Sequence, residues 1–275
     1  EVGMRLTVQG PDGHQYQIDS PFVLDASGFG RTLPRLLELE RPSDFPVRHA
    51  VFGHIEDRIN HPDFDREKIL ISVHPQHNEV WFWLIPFSNG RSSIGAVVPP
   101  ALLEQYPGDY QQQLQQLIAE TPNLKAVLEN AQFDSPINRI AGYSCNVSKL
   151  CDNHFALLGN AGEFLDPVFS SGVTIAMKSA SLAAAVLDRQ LNGEQVNWQT
   201  EYAEPLMVGV NTFRAYVDGW YSGTLQDVIF YEDKNPEIKR MVCSILAGYA
   251  WDKSNPFVAN PVKRLTTLGE LCRAG

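Results

Sequence analysis

Apolar and polar residues alternate through MRLTVQ and again through QYQIDS, on either side of Pro11-Asp12-Gly13. A period of two around a turn-forming tripeptide predicts two antiparallel strands. The short apolar run FVL follows and ends at Asp25-Ala26-Ser27-Gly28. Between about residues 46 and 98, VRHAVFGHI, ILISVH, EVWFWLIPF and SSIGAVV are further strand candidates, and Asn89-Gly90 predicts a hairpin between the last two. The period then changes. Tyr110, Leu114, Leu117 and Ile118 recur at helical spacing near residues 109–130, and Pro122 breaks or kinks that helix. INRIAGYSCNV reads as one more strand, and FALL as a buried strand ending at Gly159. Beyond residue 170 the pattern is almost wholly helical. The order predicts a mixed α/β (α+β) fold, with a central sheet domain inserted between two parts of another domain. There is no internal repeat and no low-complexity tract.

Composition narrows the function. Of 275 residues, 44% are hydrophobic, enough for a substantial core. Asp+Glu number 32 against 22 Lys+Arg, a net charge of −10. That sign argues against nucleic acid and against anionic membrane surfaces as partners. No apolar run approaches the length of a membrane span. Cys145, Cys151, Cys243 and Cys272 show no CxxC pairing, so free thiols in a reducing, cytoplasmic setting are expected.

The most informative stretch is GNAGEFLDPVFSSGV, residues 159–173. A strand ends at Gly159, and Ala161 and Gly162 keep the turn small enough for a large group to approach its backbone. Asp166-Pro167 stiffens the exit. Ser170, Ser171 and Gly172 stand where a long helix begins, with serine expected as its cap. That helix has Val173, Met177, Ala180 and Leu187 on one stripe and Ile175, Ser179, Leu182 and Val186 on another, which predicts burial on most sides. A helix start offers free N–H groups and about half a positive charge, suited to an anion or to a ring edge that becomes negative. Ser-Ser-Gly alone also opens ordinary core helices. The whole string is far more restrictive.

GNAGEFLDPVFSSGVTIAMKSASLAA resembles the second flavin-binding motif of FAD-dependent monooxygenases of the p-hydroxybenzoate hydroxylase type, and more narrowly the flavin-dependent halogenases and their reductase-like relatives. WFWLIP, Trp81 to Pro86, resembles the W-x-W-x-I-P signature of those halogenases, and VLDASGFGR resembles the strand end that carries part of their FAD site. The resemblance implies cofactor contacts at Asp25, Ser27, Gly28, Gly159, Asn160, Gly162, Asp166, Pro167, Ser170, Ser171, Gly172 and Val173. It implies a substrate or halide region around Trp81, Trp83, Pro86, Phe169, Ser171 and Gly172. Strand alternation puts Trp81, Trp83 and Ile85 on one face and Phe82 and Leu84 on the other.

The same resemblance implies residues 1–44 as the end of an FAD domain, 45–150 as a sheet-rich substrate domain, 151–195 as the return to the FAD domain, and 196–275 as a helical C-terminal region. The implied activity is an FAD-dependent oxidoreductase acting on an electron-rich aromatic, free or carrier-bound, through a flavin hydroperoxide. Its partners would be a flavin reductase and a halide ion. A flavin monooxygenase or double-bond reductase on the same scaffold, or a non-catalytic remnant, are the alternatives.

Three departures qualify that picture. No strand–GxGxxG–helix is found, and Gly28-Phe29-Gly30-Arg31 lacks the third glycine. The family's catalytic lysine belongs to that region, so no catalytic residue is assigned, and the chain is expected to be part of a longer enzyme. Asn160 stands where the family usually has Asp, and Phe169 where tryptophan halogenases place a glutamate. This form is closer to halogenases of phenols and pyrroles and to non-halogenating relatives. His74 and His77 lack a third ligand at a known spacing, so no metal site is expected. Tyr216, Trp220 and Tyr221 predict a core or interface helix face, on which Arg214 and Asp218 are i,i+4 neighbours.

Overall fold

The computed structural model describes residues 3–233 and 235–274. Strands β1 (Met4–Gln9) and β2 (Gln15–Ser20) form the expected hairpin, Met4 opposite Ser20. Next come β3 (Val23–Asp25), helix α1 (Thr32–Leu36) and β4 (Glu40–Pro42). The four strand candidates between 46 and 98 become β5 (His49–Glu56), β6 (Leu70–Val73), β7 (Trp81–Pro86) and β8 (Arg91–Val98). Helices α2 (Pro100–Leu103), α3 (Tyr110–Ala119) and α4 (Pro122–Val127) follow. Asp109 and Gln112 close a reciprocal capping box at the start of α3, and Pro122 opens α4 rather than bending α3.

INRIAGYSCNV is not one strand. Gly142, at φ +58°, separates β9 (Asn138–Ala141) from β10 (Cys145–Val147), and the two pair with different partners. After β11 (Cys151–Asp152) and β12 (Phe155–Leu157), the chain turns helical through α5 (Ser171–Leu191), α6 (Glu204–Tyr221), α7 (Thr224–Phe230), α8 (Pro236–Leu246), α9 (Pro256–Ala259) and α10 (Pro261–Ala274).

Two compact units result: Pro46–Tyr143, and the segments on either side of it. The first holds a five-stranded antiparallel sheet in the order β6-β7-β8-β5-β9. Val51, Ile55, Phe82, Leu84 and Ile94 on its inner face pack with Leu114, Leu117 and Leu124 of α3 and α4. Each such side chain contributes about 1.5–3 kcal/mol through burial.

The second unit is organised around β11-β12-β3, in which β12 and β3 run parallel with Leu157 beside Asp25. The Tyr202 hydroxyl donates to the Leu157 carbonyl at 2.6 Å, tying the start of the helical region to β12. Helix α5 corrects an expectation. Ile175, Ser179, Ala183 and Val186 are buried, but Val173 and Met177 are 71% and 68% exposed. Among the described residues, one of its two apolar stripes is covered, whereas Val173, Met177 and Ala180 of the other are exposed.

Candidate functional site

Because β3 and β12 are parallel and in register, the turns after Asp25 and Leu157 leave the sheet side by side. Carboxyl ends of adjacent parallel strands are where open α/β sheets present their ligand-binding loops. The buried Asp25 carboxylate accepts the Ser27 N–H at 2.8 Å and the Leu33 N–H at 2.7 Å, while its backbone carbonyl accepts the Leu158 N–H at 2.8 Å. Ser27 Oγ accepts the Thr32 N–H at 2.9 Å. These side chains build the loop and join the two turns. Gly28, at φ +59°, has no heavy atom within 4 Å of where a Cβ would stand, so its backbone faces open space.

The second turn is tighter. Gly159 has φ +51°, and a Cβ there would lie 2.9 Å from that of Ala176 on α5. Its N–H donates to Ser179 Oγ at 3.0 Å. A Cβ on Gly162 would meet Leu150 at 2.7 Å. The half-buried Asn160 holds its side-chain oxygen 3.7 Å from the Cβ position of Gly172, at the mouth of α5. Asp166 accepts the Val168 N–H at 2.9 Å, stabilising the single helical turn that Pro167 opens, and also accepts the Tyr221 hydroxyl at 2.9 Å.

The expected serine cap does not form. Ser170 adopts φ +50°, ψ 31°, where a capping serine needs an extended backbone, and its side chain makes no cap bond. The first amides of α5, at Ser171, Gly172 and Val173, lie where helix geometry provides no partner. Ser171 is buried and Val173 exposed. Phe169 meets the rings of Tyr216 and Trp220 edge-on at 6.4 and 6.2 Å.

Sequence reasoning overlooked a buried polar cluster behind this turn. Glu163 is buried and its Oε2 accepts from the Arg214 guanidinium at 3.0 Å. Burial pushes its carboxyl up to about 7 against the opposing pull of Arg214 and Arg31. Arg31, buried at φ +48°, reaches Glu40, Cys145, Asn146 and Asn160. The signal was a lone charged residue among small ones in GNAGEF. Arg214 is ion-paired with Glu163, not with its helical neighbour Asp218.

In the Pro46–Tyr143 unit, Phe82 and Leu84 of β7 enter the core, and the Trp81 and Trp83 rings lie 5.8 Å apart. Trp83 covers Gly95 on β8, where a Cβ would come within 2.2 Å of the indole, and its Nε1 donates to Ser93 Oγ at 3.0 Å. Trp81 is buried, while Trp83, Ile85 and Pro86 are half-buried. The His74 ring packs against His77 at 4.9 Å and faces Glu120 at 3.2 Å. Among the described residues no group of three or more His, Cys, Asp and Glu could hold a metal, and no helix is long and apolar enough to cross a membrane.

A profile described as tryptophan halogenase matches residues 5–246. The chain belongs to the tryptophan halogenase family. A crystal structure of a flavoprotein/dehydrogenase from Cytophaga hutchinsonii is 40% identical with a TM-score of 0.92, covering 98% of this chain and 66% of that one. Flavin-dependent halogenase gsfI of Penicillium aethiopicum is 31% identical over 191 residues, 66% of this chain and 36% of its own length. The 1H-pyrrole-2-carbonyl peptidyl-carrier-protein chlorinase of Pseudomonas fluorescens is 25% identical over 239 residues, 84% of this chain and 52% of its own length. The chain therefore spans about a third to a half of these curated relatives. The mixed α/β fold is the one expected, and it is shared with the flavoprotein/dehydrogenase and with a flavin-dependent brominase.

Proposed function

We propose that this chain is part of an FAD-dependent halogenase acting on an electron-rich aromatic substrate, free or attached to a carrier protein. The observation that carries the reading is the paired turns after β3 and β12, set against the uncapped start of α5. The residues present fit the flavin. Gly28 leaves its backbone open, Gly172 has nothing closer than 3.5 Å to its Cβ position, and α5 opens without a side chain of its own over its amides.

In this reading Asn160 hydrogen-bonds a ribityl hydroxyl, and the amides of Ser171, Gly172 and Val173 face the ring edge that becomes negative on reduction. Asp25, Ser27, Asp166 and Pro167 hold the two turns in shape, Gly159 and Gly162 let them pack closely, and Ser170 turns the chain into α5. FAD, when bound and reduced by a separate flavin reductase, supplies the electrons for oxygen activation. A halide is held at the amides of Ser171 and Gly172. Phe169 serves the substrate or halide region at the mouth of α5, and Trp81, Trp83 and Pro86 are the residues of the Pro46–Tyr143 unit assigned to the aromatic substrate. The 1–44, 45–150, 151–195 and 196–275 division of roles belongs to the same proposal, as does a cytoplasmic setting, which suits the four free thiols.

The test is product analysis with the intact enzyme, a flavin reductase, oxygen and a panel of phenols, pyrroles and indoles, free and carrier-bound. Halide-dependent incorporation of chlorine or bromine is expected. A second reading has its own support: the 40% identical relative is a flavoprotein/dehydrogenase. Hydroxylated or reduced product formed without halide would replace the first reading with the second.

A further inference from the structure

A buried guanidinium, that of Arg31, and a half-buried one, that of Arg214, converge on the turn 160–163. Arg31, which precedes α1, donates to the Asn160 carbonyl at 3.3 Å, the Asn146 carbonyl at 3.2 Å and the Glu40 carboxylate at 2.9 Å. Arg214, on α6, donates to Glu163 Oε2 at 3.0 Å and to the Asn146 side-chain oxygen at 3.5 Å, with the Phe45 ring 5.6 Å from its guanidinium. The two arginines thus share Asn146 of β10 and hold the turn at its two ends. Strand β10 also meets the turn directly, with Cys145 and Phe164 exchanging backbone bonds at 3.2 and 3.4 Å. Burying a guanidinium costs free energy unless its donors are matched, and here the matching acceptors come from the turn and its neighbours. The left-handed backbone of Arg31 adds a further cost for a residue with a Cβ.

We propose that Arg31 and Arg214 are positioning residues that clamp the Asn160–Glu163 turn in the shape that receives the flavin, with Glu163 as the turn's own handle. This rests on the flavin reading above. The handle is sensitive to protons. Arg214 from α6, Arg31 from before α1, Asp44 from beyond β4 and the Cys145 thiol of β10 surround Glu163, and Asp218 lies one turn along α6 from Arg214. In the docked turn burial holds the carboxyl near 7, whereas a turn exposed to water returns it to its ordinary value of 4.5. The docked state binds the proton more tightly, so docking is strongest below the ordinary carboxylate range and weakens as pH rises through about 7.

The experiment is hydrogen exchange on the intact enzyme that contains this chain, at pH 6 and pH 8, corrected for intrinsic rates, read over residues 158–166. It is paired with an FAD titration followed by flavin fluorescence. Wild type is expected to lose protection in that segment between pH 6 and pH 8, and Glu163→Gln to show no such change. Arg31→Lys and Arg214→Lys, which keep the charge but not the fork, are expected to weaken FAD binding and segment protection about tenfold, while residues 110–127 exchange as in wild type. Wild-type protection and FAD affinity in both lysine variants would overturn the clamp, and so would a pH response that persists in Glu163→Gln. If wild type takes up no FAD but the exchange pattern holds, the flavin reading falls and the clamp on the turn stands.

Discussion

Asp57 and Glu163 are both buried carboxylates facing an arginine, one in each compact unit, and they come to rest on opposite sides of the ordinary range. Burial pushes both up. Asp57 nevertheless stays below its usual value because it collects Arg66 through two bonds at 2.9 and 3.1 Å, the Ser92 hydroxyl and the Ile59 N–H. Glu163 receives a single bond from Arg214, and burial prevails. Asp57 has more donors and lies less deep than Glu163, and both differences favour its charged form, so a counter-ion alone does not set the outcome. The sheet unit uses its carboxylate as a fully satisfied anchor. The unit with the paired turns leaves its own short of partners, alongside an uncapped helix and an exposed stripe on α5. Local rules are broken where a ligand is expected to complete them.

The largest effect should come from stripping the anchor. Arg66→Ala leaves Asp57 buried with weaker compensation and is expected to cost about 3 kcal/mol, read from the urea midpoint. Gly159→Ala strikes the other unit, adding a Cβ at positive φ against Ala176. It is expected to cost about 2 kcal/mol and to abolish flavin binding, followed by flavin fluorescence. A pH series sharpens the contrast. Glu163, raised in the fold, contributes stability that is present below 4.5 and lost as pH rises through about 7, so Glu163→Gln should flatten the melting temperature between pH 5 and pH 8. Asp57, lowered in the fold, contributes stability that is present above its unfolded value of 3.8 and lost as pH falls below it, so Asp57→Asn should remove a decline seen only in acid. The smallest effect belongs to Tyr216→Phe. Its hydroxyl is buried with no hydrogen-bond partner among the described residues, and removing it is expected to stabilise the protein by about 1 kcal/mol in calorimetry.

Much of the fold was legible because its periods are clean. The β1–β2 hairpin, the four strands between 46 and 98, and the break at Pro122 all follow from alternation, spacing and a proline. The strand assigned across INRIAGYSCNV failed because its apolar pattern continues through Gly142, where the backbone turns left-handed. The stripes of α5 show which positions are apolar, but not which of them this chain covers. Ser170 looked like a cap by residue type, yet capping depends on a backbone angle that composition does not encode. The glycines of the turn were readable as demands for space. Arg31 and Arg214 were not, since the acceptors they share lie 115 and 68 positions away, and no local pattern links them.

The pairing of β3 with β12 bears on how the chain comes together. Those strands are separated by the entire Pro46–Tyr143 insert, and closing so long a loop is slow and entropically costly. The insert carries a remedy in β5 and β9, where His49 lies opposite Ala141, so its two ends meet as soon as its sheet forms. A nascent chain can fold that sheet first and then present the flanking segments as near neighbours. During synthesis, the parallel pair and the turns it carries would be the last part to assemble.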